Sequence, residues 1–194
     1  MLTRRLVLGG IAALGFPSLG VHAAPPPGWP NQPLKLVTPF TAGGGTDFFA
    51  RQIAPRLADA LGQPVVVDNR AGGSGQIAAA AVGKQLPADG YAMLLGDRGT
   101  FALNPALFDS LAYDPQKDLM PVTLTASYDF VLVVNPQVLP ARNVQDVIAA
   151  AKAAPGGLDF ASPGNQTTHR LAMELFARDA GINMVPVPYK GGAQ

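Results

Sequence analysis

The sequence predicts an α/β protein in which parallel strands carry helices on their faces. Three observations lead there. From Leu34 onward, short runs rich in β-branched residues alternate with longer stretches of helical apolar spacing, as in units that pass from strand to helix and back to strand. Glycine-rich turns stand where strands would hand over to helices. Hydrophobic residues make up 48% of the 194-residue chain and charged residues 14%, which supplies side chains for buried sheets and argues against disorder.

The elements follow in order. Leu34-Lys35-Leu36-Val37-Thr38 reads as the first strand. Thr46 then caps a helix whose residues Phe49, Ile53, Leu57 and Leu61 recur every fourth position; Gly62 ends it, and Pro55 predicts a kink or break inside it. Val65-Val66-Val67 is a second strand, residues 76–84 a helix, 92–95 a third strand and 104–108 a short helix. Residues 121–126 read as a further strand, and Phe130-Val131-Leu132-Val133-Val134 as a strand buried on both faces. Asn143 with Asp146 opens a helix to Ala154. A strand over 158–161, a helix over 167–180 and a strand over 184–187 complete the pattern. The chain stops at Gln194 directly after a loop, so a truncated second unit is expected.

Residues 1–23 are set apart from the fold because they have the three parts of a secretory signal peptide. Arg4 and Arg5 open it, an apolar run covers 6–16, and Val21-His22-Ala23 gives a small-residue cleavage site near Ala23. The run is too short to span a bilayer. Thr3-Arg4-Arg5-Leu6-Val7-Leu8 also resembles a twin-arginine signal, so both export routes stay open. The leader carries two of the 14 Lys and Arg and none of the 13 Asp and Glu, which leaves 12 against 13 and a formal charge of −1. No basic patch remains for nucleic acid. The absence of cysteine excludes disulfides, thiolate catalysis and cysteine metal sites, and suits an exported protein.

Three turns share one design: Ala42-Gly43-Gly44-Gly45-Thr46-Asp47, Ala71-Gly72-Gly73-Ser74-Gly75-Gln76 and Ser162-Pro163-Gly164-Asn165-Gln166-Thr167-Thr168. Each sets glycine ahead of a helix start with unpaired N–H donors, an arrangement that attracts anions. Each also serves as a plain connection, and only the repetition favours a ligand. Asp47 either complements the helix dipole or meets a ligand ammonium. His169 lines a pocket or caps its helix, and Arg98 pairs with a ligand carboxylate or with Asp97.

Other chemistries find less support. Gly73-Ser74-Gly75-Gln76-Ile77-Ala78 fits a dinucleotide fingerprint, yet its strand is not the first of the unit and no acidic residue follows at the required strand end. No Gly-Lys-Ser/Thr closes any turn. A hydrolase built on Ser74 would depend wholly on His169, the one histidine after the leader, and one histidine makes no metal cluster.

The segments from Pro33 to Asp47, from Leu61 to Arg70 and Val187-Pro188-Tyr189-Lys190-Gly191, with Asp89-Gly90-Tyr91, Asn104-Pro105, Tyr113-Asp114-Pro115 and Ser162-Pro163-Gly164-Asn165, resemble the Bug receptors of tripartite tricarboxylate transporters. The resemblance covers nearly all of the chain after the leader. It implies a type II periplasmic-binding fold of two α/β lobes, with lobe 1 over 24–126 and an incomplete lobe 2 over 127–194. It implies a periplasmic, monomeric, non-enzymatic receptor without cofactor or metal, which captures a di- or tricarboxylate, an acidic amino acid or an aromatic acid for membrane permease subunits. Carried onto this sequence, the ligand-binding residues are Ala42, Gly43, Gly44, Thr46, Asp47, Ser74, Gly75, Arg98, Thr100, Asn165, Thr168, His169 and Tyr189. An α/β enzyme acting through Gly73-Ser74-Gly75 is the alternative. Arg70 is followed by Ala71 where the family usually has proline, which loosens the second turn.

Overall fold

The computed structural model describes residues 28–193; the signal-peptide reading falls outside them. Strands β1 (Leu34–Thr38), β2 (Val65–Asn69) and β3 (Ala92–Leu94) form one parallel sheet with β1 at its centre. Leu34, Val37 and Thr38 are fully buried, as a strand covered on both faces requires. Each apolar side chain of that size contributes roughly 1.5–3 kcal/mol on burial. Because β2 and β3 flank β1 on opposite sides, the chain leaves the carboxyl end of the sheet in two directions there, and the crevice between is where such sheets bind ligands.

Helix α1 (Gly45–Leu61) covers this sheet through Ala50 and Ala54, which pack with Leu36 against Val65, Val67, Met93 and Leu95. The small alanines bring the helix axis close to the strands. The stripe of Phe49, Ile53, Leu57 and Leu61 expected to be the core face is only half-buried and flanks that contact. The helix runs unbroken through Pro55, contrary to a break there; its ring is exposed, where loss of one backbone bond is least costly. Gly62 ends the helix in the left-handed conformation at φ 68°.

After β2, helix α2 (Gln76–Ala80) widens into a π-type turn over Ala81–Gln85, and a similar turn over Gly99–Leu103 leads into α3 (Asn104–Leu107). Ala79, Ala80 and Tyr113 form a second apolar cluster with Leu94, Leu111 and Leu119. Helix α4 (Val144–Ala153) is capped by Asn143, whose side chain accepts the Asp146 N–H at 3.0 Å. Strands β4 (Leu158–Ser162) and β5 (Met184–Pro188) pair in parallel as a separate sheet, connected by α5 (Thr168–Ala180).

Two expected strands are absent among the described residues. Residues 121–126 and 130–134 have no ladder partner, and the second run is exposed rather than buried: Val131 and Val133 are 80% and 78% accessible. An apolar β-prone run becomes a strand only when a neighbour supplies its hydrogen bonds, and no described strand lies beside these. The amides of Val122, Leu124, Val131 and Val133 are therefore expected to exchange with deuterium at near-unprotected rates, while Leu36 and Val37 exchange only with global unfolding. Mass-spectrometric hydrogen exchange on this chain measures both.

Candidate functional site

The turn after β1 is shaped by Asp47. This carboxylate, in the first turn of α1, reaches backwards: Oδ2 accepts the Gly43 N–H and the Arg51 Nε–H, both at 2.9 Å, and Oδ1 accepts Asn69 Nδ2 at 3.0 Å. Asn69, at the end of β2, also donates to Thr38 Oγ1 at 2.7 Å and to the Phe40 carbonyl at 3.2 Å. One amide thus ties together β1, β2, the turn and the helix start. The sequence reading missed Asn69, although it lies in the segment that carried the family resemblance. The reading also set Thr46 as the helix cap. Gly44 holds that position instead, and no side chain caps the helix because Asp47 is committed to Gly43. The Gly45 and Thr46 amides are left without a partner among the described residues, at the positive end of a 17-residue helix.

The second turn is held from below. Ser74 adopts φ 52° and ψ 39°, a left-handed conformation uncommon outside glycine and asparagine. Its carbonyl accepts Asn104 Nδ2 at 3.1 Å, and the same fully buried amide donates to the Tyr113 hydroxyl at 3.1 Å. Tyr113 in turn donates to the Thr100 carbonyl. Thr100 gives its N–H and its hydroxyl to Asp97 Oδ1, each at 2.9 Å. Gly75 has to be glycine: it sits at φ 90°, and a Cβ there would lie 2.6 Å from Thr100 Oγ1.

The third turn meets the other two. Thr167 caps α5 by accepting the Arg170 N–H at 3.4 Å and donates to the Gly164 carbonyl. The Gln166 N–H donates to Ser74 Oγ at 3.3 Å, across 92 residues of sequence. Between the first and third turns lies a cavity of about 130 Å³. Gly44, Gly45 and Thr46 line it from the first turn, and the rest of the lining is mostly aromatic: Phe40, Phe49, Tyr128 and His169, with Pro163 and Gly192. Phe49 stacks on Tyr128 at 6.3 Å, Tyr128 meets Phe130 edge-on at 6.2 Å, and Phe130 lies 4.6 Å from the His169 ring. Burial holds His169 below its ordinary pKa, with Asp97 opposing, and its buried Nδ1 has no partner among the described residues. Burial thus disfavours the charged imidazole.

The thirteen expected binding residues divide accordingly. Gly44, Thr46 and His169 line the cavity, while Ser74, Gly75, Thr100 and Thr168 belong to the turns or the support around it. Ala42 and Gly43 are exposed on the first turn, and Asp47 is buried with both oxygens occupied, which makes it a brace. Arg98 is exposed and forms no ion pair with Asp97. Asn165 is exposed and accepts Arg170 Nη1 at 3.0 Å. Tyr189 is exposed and is tied by its N–H to the Ser162 carbonyl at 2.8 Å. Ser74 and His169 share no hydrogen bond among the described residues, so the nucleophile and base of a hydrolase are not assembled. A larger open groove, about 780 Å³ over Phe101, Phe108 and Leu111, contains none of the glycine-turn residues.

Asp47 has a consequence for acid stability. The Arg51 hydrogen bond, helped by Gly43 and Asn69 and opposed by burial, lowers its pKa from the ordinary 3.8 to about 2. The shift corresponds to roughly 2 kcal/mol. A lowered folded-state pKa gives stability that is present above the unfolded value and lost as pH falls from near 4 through 2. Urea titrations should show that loss in the parent and a flatter pH profile in Asp47→Asn. Asn69→Ala should remove about 2 kcal/mol at neutral pH.

The family model of the tripartite tricarboxylate transporter family receptor matches residues 49–194. Protein BugT of Bordetella pertussis is 40% identical over 164 residues, which cover 84% of this chain and 50% of BugT. A Pseudomonas sp. (strain P51) protein from the tcbD-tcbE intergenic region is 37% identical over 190 residues, 98% of this chain and 55% of its own. The chain therefore spans about half the length of the curated relatives it matches. Among solved structures, a periplasmic transporter superposes with a TM-score of 0.76 at 36% identity, over 84% of this chain and 54% of that one. A Rhodopseudomonas palustris protein solved with adipate gives 0.73 at 38% identity, with the same coverage. MatC from the same organism, with bound malate, gives 0.71 at 29%, over 84% and 55%. These neighbours have the α/β periplasmic-binding fold that the resemblance implied, and they are receptors rather than enzymes. The chain belongs to the tripartite tricarboxylate transporter receptor family.

Proposed function

We infer that this chain carries the ligand-gripping part of a periplasmic receptor, which captures a small carboxylate and presents it to the permease subunits of a tripartite transporter. The observation that carries this reading is the cavity at the start of α1, which Gly45 and Thr46 line and where no side chain caps the helix. A carboxylate placed there completes the helix terminus: it accepts directed N–H bonds and lies at the positive end of the dipole. The bound adipate and malate of the two Rhodopseudomonas palustris neighbours support the same ligand chemistry. Residues 24–126 and 127–194 are the two lobes in this reading, and the Gln166 to Ser74 hydrogen bond is a contact of the closed form across the cleft. The receptor acts as a monomer in the periplasm after removal of the leader.

Gly45→Pro tests the backbone grip. It deletes one amide donor at the first helical position, where proline is well tolerated. Gly44 already has the extended ψ of 172° that suits a residue before proline, and a Cβ at Gly45 meets nothing within 4 Å. Isothermal titration of the full-length protein should show carboxylate affinity reduced about tenfold or more, with an unchanged melting temperature, since a hydrogen bond to a charged group contributes about 1.5–3 kcal/mol. Unchanged affinity would remove α1 from the site.

A further inference from the structure

The cavity lining also bears on which carboxylate fits, an inference that rests on the carboxylate reading above. No lysine or arginine lines the cavity among the described residues. His169 is its one ionisable nitrogen base among the described residues, and burial disfavours its charged form. The helix start supplies favourable potential for a single anionic group at the Gly44 to Thr46 end. A second carboxylate on the same ligand would meet the rest of the lining, which is Phe40, Phe49, Tyr128, Pro163, Gly192 and the His169 imidazole. It would lose its hydration there without gaining a cation, a penalty of several kcal/mol. Of the charges that act on these rings, Asp97 bears on both Tyr128 and His169, whereas the exposed Arg98 bears on Tyr128 alone.

Size and shape narrow the class further. The cavity of about 130 Å³ is close to the roughly 150 Å³ of an apolar protein cavity known to hold a benzene ring. Its aromatic lining residues belong to one set of neighbouring rings: Phe49 stacks on Tyr128, and Phe130, outside the lining, meets both Tyr128 and His169. Such a wall favours a flat π-system through offset or edge-on contacts, each worth about 0.5–1.5 kcal/mol beyond burial.

We propose that the ligand of this site is an aromatic monocarboxylate, with its carboxylate on the α1 amides and its ring against Phe49, Tyr128 and His169. Calorimetric titration of the full-length protein with benzoate, adipate, malate and citrate, at one ionic strength, tests this. Benzoate should bind at least tenfold more tightly than any of the other three. Tyr128→Ala and Phe49→Leu should each weaken benzoate about tenfold and narrow its margin over malate; circular dichroism and melting temperature verify that both variants fold. If adipate, malate or citrate binds as tightly as benzoate, the aromatic assignment is overturned and the carboxylate receptor stands. If none of the four binds while a nucleotide does, both readings fall.

Discussion

The candidate site depends on one carboxylate being turned away from its own helix. An aspartate in the first turn of α1 would ordinarily help satisfy the amides at the helix start. Asp47 instead bonds to Gly43, Asn69 and Arg51, which fixes the turn and leaves the Gly45 and Thr46 donors open. Asn69 is the counterpart that makes this possible. It anchors Asp47 to the carboxyl ends of β1 and β2, so the open donors inherit the rigidity of the central sheet.

The other two turns are positioned by different means towards the same place. Asn104 and Tyr113 support the strained Ser74 and the Thr100 backbone from within the apolar cluster of α2. Left-handed strain at a non-glycine residue persists only where its surroundings over-determine it, and a fully buried amide bonded to the Ser74 carbonyl does that. Ser74 Oγ then receives the Gln166 N–H from the turn ahead of α5, so the turn after β2 of the first sheet meets the turn after β4 of the second. The binding geometry is a property of sheet ends and helix starts. Side chains of the aromatic wall refine it.

The fold was legible in the sequence wherever an element is specified locally. The five paired strands and the helices that cover them follow from short β-branched runs, asparagine and threonine caps, and glycines at helix ends such as Gly62 and Gly181. The two failed strands are instructive: 121–126 and 130–134 have strand composition, but pairing is a non-local property that composition does not carry. The core face of α1 was misplaced by one residue because alanines at 50 and 54 pack closer than the larger residues beside them. At the site, the glycine turns announced the backbone donors. Asn69, Phe49 and Tyr128 were invisible as site residues, since their roles arise only when separate turns meet in space.

The central claim is that α1 amides receive the ligand's negative group. Amide chemical shifts followed by ¹⁵N–¹H correlation spectra during a benzoate titration measure this at the atoms concerned. The Gly45 and Thr46 amide protons are expected to move downfield in proportion to saturation, as N–H groups do on bonding to a carboxylate. Saturable shifts confined to other residues, with Gly45 and Thr46 unmoved, would contradict it.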